Sequence, residues 1–205
     1  ERRRLLSPRT IQAIGFNFLR IFSALTVLPI VLMVVYIVIK GLPAISLEFL
    51  FAYPTNGMRD GGILPAIVGT LLLTIGTAIF AVPLGIAAGI YIAEYAPANR
   101  WTLLIRVAII NLAGIPSVVY GLFGLGLFVI FLGFGTSILA ASLTLAIMTL
   151  PVIISTTEEA LRSVPYAFRT VGLSLGATQW QTIWRVILPE AMPGILTGVI
   201  LGLNR

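Results

Sequence analysis

The sequence predicts an all-α fold, a polytopic transmembrane helical bundle, and three observations carry that prediction. Hydrophobic residues make up 59% of the 205 and charged residues only 10%, with a mean hydropathy of +1.07, whereas soluble domains carry about 25% charged residues. The apolar runs reach about twenty residues without alternating with polar ones, which selects helices over a β-barrel. The arginines flank those runs and form no stripe, so the net charge of +6 reads as membrane topology rather than nucleic-acid binding.

What is missing narrows the chemistry. The chain has no histidine and no cysteine, which removes Cys/His metal sites, thiol nucleophiles, disulfides and imidazole acid–base work. Lys40 is the only lysine, and its setting "IVIKGLP" is no phosphate-binding loop, so ATP hydrolysis by a P-loop is not expected here. Glu1, Glu48, Asp60, Glu94, Glu158, Glu159 and Glu190 lie outside or at the rim of the apolar runs. No catalytic residue, metal or cofactor is therefore expected, and a membrane enzyme is disfavoured.

The elements follow in order. "ERRRLLSPRTIQAIGFNFLR" (1–20) carries five arginines and reads as a cytoplasmic segment leading into a first span over 21–39. That run lacks the short core and cleavage site of a signal peptide. Residues 40–62 form an outer loop with turn-prone Pro-Thr-Asn-Gly and Asp-Gly-Gly, and Ile45–Phe51 suits a membrane surface. The second span, 63–95, would run roughly 50 Å against ~30 Å of hydrocarbon, so its ends must protrude or tilt. Residues 101–133 are also too long, and Gly114 and Pro116 offer a break, leaving a third span at about 115–133. A turn at 133–136 leads to a fourth span from Ser137 to about Ser155, followed by "TTEEALRSVP". The expected domains are 1–20, then 21–58 with the first helix and outer loop, then a core over 59–205.

Charge counting sets the orientation. With the N-terminus inside, Arg2, Arg3, Arg4, Arg9, Arg20, Arg100, Arg106, Arg162, Arg169 and Arg185 are cytoplasmic, ten of the 13 basic residues. Lys40 and Arg59 are outside, as the positive-inside rule requires. Arg205 is a separate case. A helix rising from Pro189 would carry it roughly 24 Å, still at membrane depth, where an arginine beside a free carboxylate costs several kcal/mol. The expectation is that the chain continues past this arginine, with at least one more span.

The stretch "GATQWQTIWRVILPEAMPG" (176–194) interrupts the apolar pattern. Thr178 and Gln181 have the spacing of a capping box, and Trp180, Ile183, Trp184 and Ile187 form an apolar stripe at helical spacing. Pro189 is expected to stop that helix. Upstream, 166–175 predicts another short helix, with Gly176 turning the chain between the two. From physics alone this helix–turn–helix either anchors on the bilayer or docks into a groove of a soluble partner.

"GLSLGATQWQTIWRVILP" resembles the EAA loop of ABC importer permeases, E-A-A-x-x-x-G followed by I-x-L-P. Gly176, Val186, Leu188 and Pro189 fall at matching places, and Thr170, Val171 and Gly172 stand where Glu-Ala-Ala is usual. Residues 59–97, "NLAGIPSVVYGLFGLGLFV" (111–129) and "TEEALRSVP" (157–165) are similar to phosphate importer permeases of the PstA type, with "AGIPSVVYGLFGL" the more specific mark. The resemblance implies a MetI-like type I ABC importer permease fold in the plasma (inner) membrane. It implies as partners a second homologous permease subunit, a cytoplasmic ATP-binding subunit dimer and an extracytoplasmic phosphate-binding protein. Lipid surrounds the spans, and no nucleic acid is involved. It makes the 165–185 segment the coupling helix, with Arg169, Thr170, Gly176, Ala177, Thr178, Trp180 and Pro189 as candidate ATPase-coupling residues. It also places an arginine at position 205 in the substrate path, with a Gly-Glu-Thr run beyond it.

Other features stay open or read as packing. Gly114-Ile115-Pro116-Ser117 with Tyr120 frees backbone groups that serve either a substrate path or a plain helix boundary. Thr70, Thr74 and Thr77, and Gly85-x-x-x-Gly89, read as helix packing ahead of an anion path. Pro83 either kinks span two or is tolerated in it, and Glu158 and Glu159 read as a solvated helix face. Competing functions are a permease for another oxyanion, sulfate or molybdate, and a membrane scaffold without a path of its own.

Overall fold

The computed structural model describes residues 8–174 and 176–204, so Arg2, Arg3, Arg4, Leu175 and Arg205 lie outside the described residues. Among the described residues, four helices are long and apolar enough to cross a membrane, or five spans if one sharply bent helix pair counts as one. The chain divides into two compact units, Glu1–Ala66 and Ile67–Arg205.

In the first unit, helix α1 runs over Pro8–Gly41 without interruption. Its described part thus includes Arg9 and Arg20 of the arginine-bearing segment as well as the first span. Helix α2, Leu47–Phe51, starts where Ser46 Oγ accepts from the Phe49 N–H at 3.0 Å. Strands β1 (Pro54–Thr55) and β2 (Asp60–Gly61) then pair antiparallel, Pro54 opposite Gly61. Asn56, Gly57 and Met58 all take positive φ in the connecting loop, and the Asn56 amide donates to Asp60 Oδ2 at 2.7 Å. Turn chemistry was legible here; strands two residues long carry no readable period.

The second unit is built around helix α6, Ile138–Ser163. Helix α3 (Leu64–Ile90) passes through Pro83 and ends in a π-turn, Tyr91–Tyr95. Helix α4 (Arg100–Ala113) and helix α5 (Ser117–Gly124, continued to Phe131 by a π segment) meet at 97°. The break falls at Gly114–Pro116, where the sequence placed it. Helix α7 covers Tyr166–Ser174, helix α8 covers Gln179–Thr182, and helix α9 covers Leu188–Leu203.

Lipid tails are as apolar as leucine, so close backbone approach holds such helices together more than hydrophobicity does. A methyl on Gly85 would lie 2.6 Å from Ile153 Cγ2, and one on Gly194 would lie 2.8 Å from Ala160 Cβ. Gly124 against Thr144 and Gly198 against Thr156 leave even less room. α3, α5 and α9 thus each press a glycine onto α6. Around these contacts, Ala81, Ala146 and Ile153 form one buried cluster. Ile90, Leu161, Val164, Ile183, Ile187, Leu188, Ala191 and Ile195 form another. Thr77 is buried, as the packing reading expects, whereas Thr70 and Thr74 are exposed, and Thr74 donates to Thr70 O at 2.8 Å within its own helix.

One expectation fails in the last span. Pro189 does not stop a helix: residues Gln179–Leu203 form one continuous 25-residue span, with Pro189 inside it. A π-turn at Ile183–Ile187 precedes the proline, and the Leu188 N–H reaches back to Ile183 O. The widened turn re-registers the ladder just where the proline ring would otherwise press on a carbonyl one turn back.

Candidate functional site

The site is assembled where α6 ends and the chain turns through α7 and α8. Gly176 has φ +79°, the left-handed conformation in which glycine ends helices without strain. Just after it, Ala177 N–H reaches back to Gly172 O at 3.2 Å. The capping box then forms as its spacing predicts: Thr178 Oγ1 accepts from Gln181 N–H at 3.2 Å, and Thr178 N–H donates to Gln181 Oε1 at 2.9 Å. Gly172, at the altered head of the loop motif, has a function its type explains. A Cβ there would sit 2.6 Å from Thr182 Cγ2, so only glycine lets α7 lie this close to α8.

The apolar stripe splits into two faces. Ile183 and Ile187 are fully buried against Leu161 and Ile90. Trp180 and Trp184 face outward, 58% and 47% exposed, with ring centroids 5.3 Å apart. Tyr166 and Val171 are exposed on α7. The two pairs are each four residues apart, so at 100° per residue the tryptophans and the isoleucines form neighbouring flanks of one helix, of which the isoleucine flank meets the core. The α7–α8 turn therefore presents aromatics outward from a core-anchored base.

Arg169 anchors this turn to the neighbouring helices. It is turned inward: Nε lies 3.3 Å from Glu94 Oε2 and Nη2 lies 2.6 Å from Glu94 Oε1. It also donates to Val164 O at 2.8 Å and Leu161 O at 2.9 Å, carbonyls at the end of α6. Gln179 Nε2 donates to Glu94 O at 3.0 Å. A cleft of about 370 Å³ lies over this junction, lined by Glu94, Tyr166, Arg169, Gln179 and Thr182 among others. With these donors committed inside the chain, Arg169 braces the turn against the ends of α3 and α6.

Glu158 is a second correction. It is no solvated face: its carboxylate lies 2.9 Å from Arg106 Nε and 2.9 Å from Arg162 Nε, with the side chain 14% exposed. The Arg106 approach satisfies ion-pair distance without hydrogen-bond alignment at Nε. Its Nη2 instead donates to Ile92 O at 3.2 Å, in the same π-turn that carries Glu94. Glu159 is exposed, as expected.

The remaining candidates scatter. Thr170 is exposed and its hydroxyl donates to Ala167 O at 2.9 Å, within its own helix. Ala177 is half-buried in the turn, and Pro189 sits exposed on α9. Ser117 is exposed at the first turn of α5, while Tyr120 is buried and its hydroxyl donates to Leu112 O at 2.9 Å, fastening the α4–α5 bend. Arg205 lies outside the described residues. Sequence reasoning missed Glu94, whose partner is 75 positions away. The available signal was a lone acid ending an otherwise uncharged apolar helix.

Residues 81–204 match the family described as "Binding-protein-dependent transport system inner membrane component". The chain is 36% identical over 148 residues to the probable ABC transporter permease protein YqgI of Bacillus subtilis, covering 72% of this chain and 50% of that protein. It is 36% identical over 144 residues to the phosphate transport system permease protein PstA of Xylella fastidiosa, covering 70% of this chain and 50% of that one. It thus spans about half the length of these relatives. Among solved structures, an inward-facing conformation of the MetNI methionine ABC transporter superposes with a TM-score of 0.63 at 21% identity, over 69% of this chain and 68% of that chain. The fold is the MetI-like type I permease bundle, and the chain belongs to the family of binding-protein-dependent transport system inner membrane components.

Proposed function

We propose that this chain is the transmembrane permease subunit of an ATP-driven phosphate importer, docking its ATPase through the α7–α8 turn. The observation that carries the reading is the exposed Trp180–Trp184 pair on a capped, glycine-turned element whose other face is locked into the core. Exposed aromatics on a rigid base are what a partner groove recognises, whereas a helix that merely floats on lipid needs no such bracing. Phosphate as the substrate is supported by "AGIPSVVYGLFGL" and by the name of the Xylella relative.

The assembly on this reading contains a second homologous permease, two copies of the ATPase and an external phosphate-binding protein. It sits in the plasma (inner) membrane with the N-terminus cytoplasmic, which puts the α7–α8 turn on the ATPase side. In the path, phosphate requires donors. Tyr120 commits its one hydroxyl proton to Leu112 O, leaving Ser117 and Arg205 as the donors of the proposed set.

The test is co-purification of the ATPase with the full-length permease in detergent. Trp180→Ala with Trp184→Ala should release the ATPase while the permease stays folded, because neither ring is buried. Full retention of the ATPase by that double variant would sink the docking role.

A further inference from the structure

The π-turn at the end of α3 is gripped from three directions. In an i→i+5 turn the carbonyls fall out of step with the helical ladder and become available to outside donors. Ile92 O accepts from Arg106 of α4 at 3.2 Å, and Glu94 O accepts from Gln179 of α8 at 3.0 Å. Both carboxylate oxygens of Glu94 face Arg169 of α7, which also takes the Leu161 and Val164 carbonyls at the end of α6. One arginine therefore ties α7 to the ends of α3 and α6 together. The pair is well covered, with Glu94 8% and Arg169 19% exposed.

We propose that Glu94–Arg169 is a rigid joint that makes the α7–α8 turn move with the end of α3 rather than against it, and that Glu94 is a positioning residue for transport. The proposal rests on the reading of that turn as the ATPase contact. The chemistry favours a joint over a hinge. Removing one partner of a buried ion pair leaves an uncompensated charge, so the arrangement resists opening. Arginine suits the place because its planar fork reaches a carboxylate and two carbonyls at once, which a lysine ammonium cannot do in one geometry. A push on Trp180 or Trp184 would then reach α3 through Gln179 and Arg169 without being lost in loop motion.

The joint is tested by spin–spin distances in the full-length permease, assembled with its partners in nanodiscs. Labels go on Tyr95→Cys and Ser174→Cys, exposed sites on the two sides of the joint in a chain without native cysteine. With Glu94 intact, the distance distribution should be narrow and the same in the nucleotide-free and vanadate-trapped states. Glu94→Gln should broaden it and lower phosphate uptake per ATP hydrolysed by about tenfold or more. Arg169→Lys, which keeps the charge without the fork, should broaden the distribution and lower the coupling as well. A distance that changes between the two states of the otherwise native protein, or native uptake per ATP in Glu94→Gln, overturns the proposal. If Glu94→Gln fails to assemble, Gln179→Ala removes only the bond to Glu94 O. Broadening then supports the joint, and an unchanged distribution with native coupling rejects it. Absence of any cross-link from Trp180→Cys to the ATPase is a different failure, that of the docking reading, and the distances still report the joint.

Discussion

Gly89 lies so close to Thr157 that a methyl group on its Cα would stand 2.6 Å from Thr157 Cβ. Four residues earlier on α3, Gly85 meets Ile153 in the same way. Spans two and four are thus held by two small residues on one face, the arrangement that lets helices pack in lipid. We predict that Gly89→Leu destabilises the detergent-solubilised protein by about 1–3 kcal/mol, the usual cost of overpacking. Gly69 is the control, since a methyl group on its Cα would meet no neighbour within 4 Å, and Gly69→Leu should change little beyond local helix preference. Equal thermal melts for the two variants would remove the packing role.

The contrast with the charged residues shows what sequence reading reaches. Gly85-x-x-x-Gly89 was legible because both partners of the signal lie one helical turn apart, and the Thr178–Gln181 box was legible for the same reason. The 97° bend at Gly114–Pro116 was legible because proline and glycine act on their own backbone. Glu94–Arg169 and Arg106–Glu158 were not, since each depends on which helix ends meet in space. Pro189 misled for a related reason. A proline reads as a stop, and only the π-turn before it lets the helix continue.

Gly176 and its neighbours test the turn itself. Its φ is +79°, and a Cβ added there would meet no atom within 4 Å, so any cost of substitution is backbone strain and not collision. Gly176→Ala should cost roughly 1–2 kcal/mol, and a β-branched valine more. On the proposed function, Gly176→Val should uncouple ATP hydrolysis from uptake while the protein remains in the membrane. Thr178→Ala, which removes a cap at 3.2 Å, should cost about 0.5–2 kcal/mol and uncouple less severely. Native uptake per ATP in Gly176→Val would show that the turn conformation is irrelevant to coupling.

Orientation is checked by labelling single cysteines with a membrane-impermeant maleimide. Tyr53 suits the outer loop better than Asn56, because Tyr53 is 69% exposed while Asn56 holds the hairpin through Asp60. Ser174, exposed on α7, serves for the opposite side. We expect Tyr53→Cys to react in intact cells and Ser174→Cys only after permeabilisation. The reverse pattern would overturn the orientation and, with it, the side assigned to the ATPase.

The last prediction concerns Arg205, which follows a helix whose final residues, "GILTGVILGLN", contain no other charge. A guanidinium at membrane depth is costly, so such residues face a path or a partner more often than lipid. Snorkelling toward an interface is the competing account, and a long stem permits it. The two differ in what a substitution does. If the arginine only snorkels, methionine should be neutral or favourable, because it removes a charge from hydrocarbon. If it meets phosphate, the fixed fork supplies paired donors to the anion, and losing that pair should cost about 2–5 kcal/mol of interaction, enough to stop uptake. Lysine keeps the charge but not the fork, so partial rescue at best is expected. The measurement is phosphate uptake into proteoliposomes holding the assembled full-length complex, with ATPase activity recorded alongside. Normal uptake by Arg205→Met with intact ATPase activity would falsify the path role and leave snorkelling as the explanation.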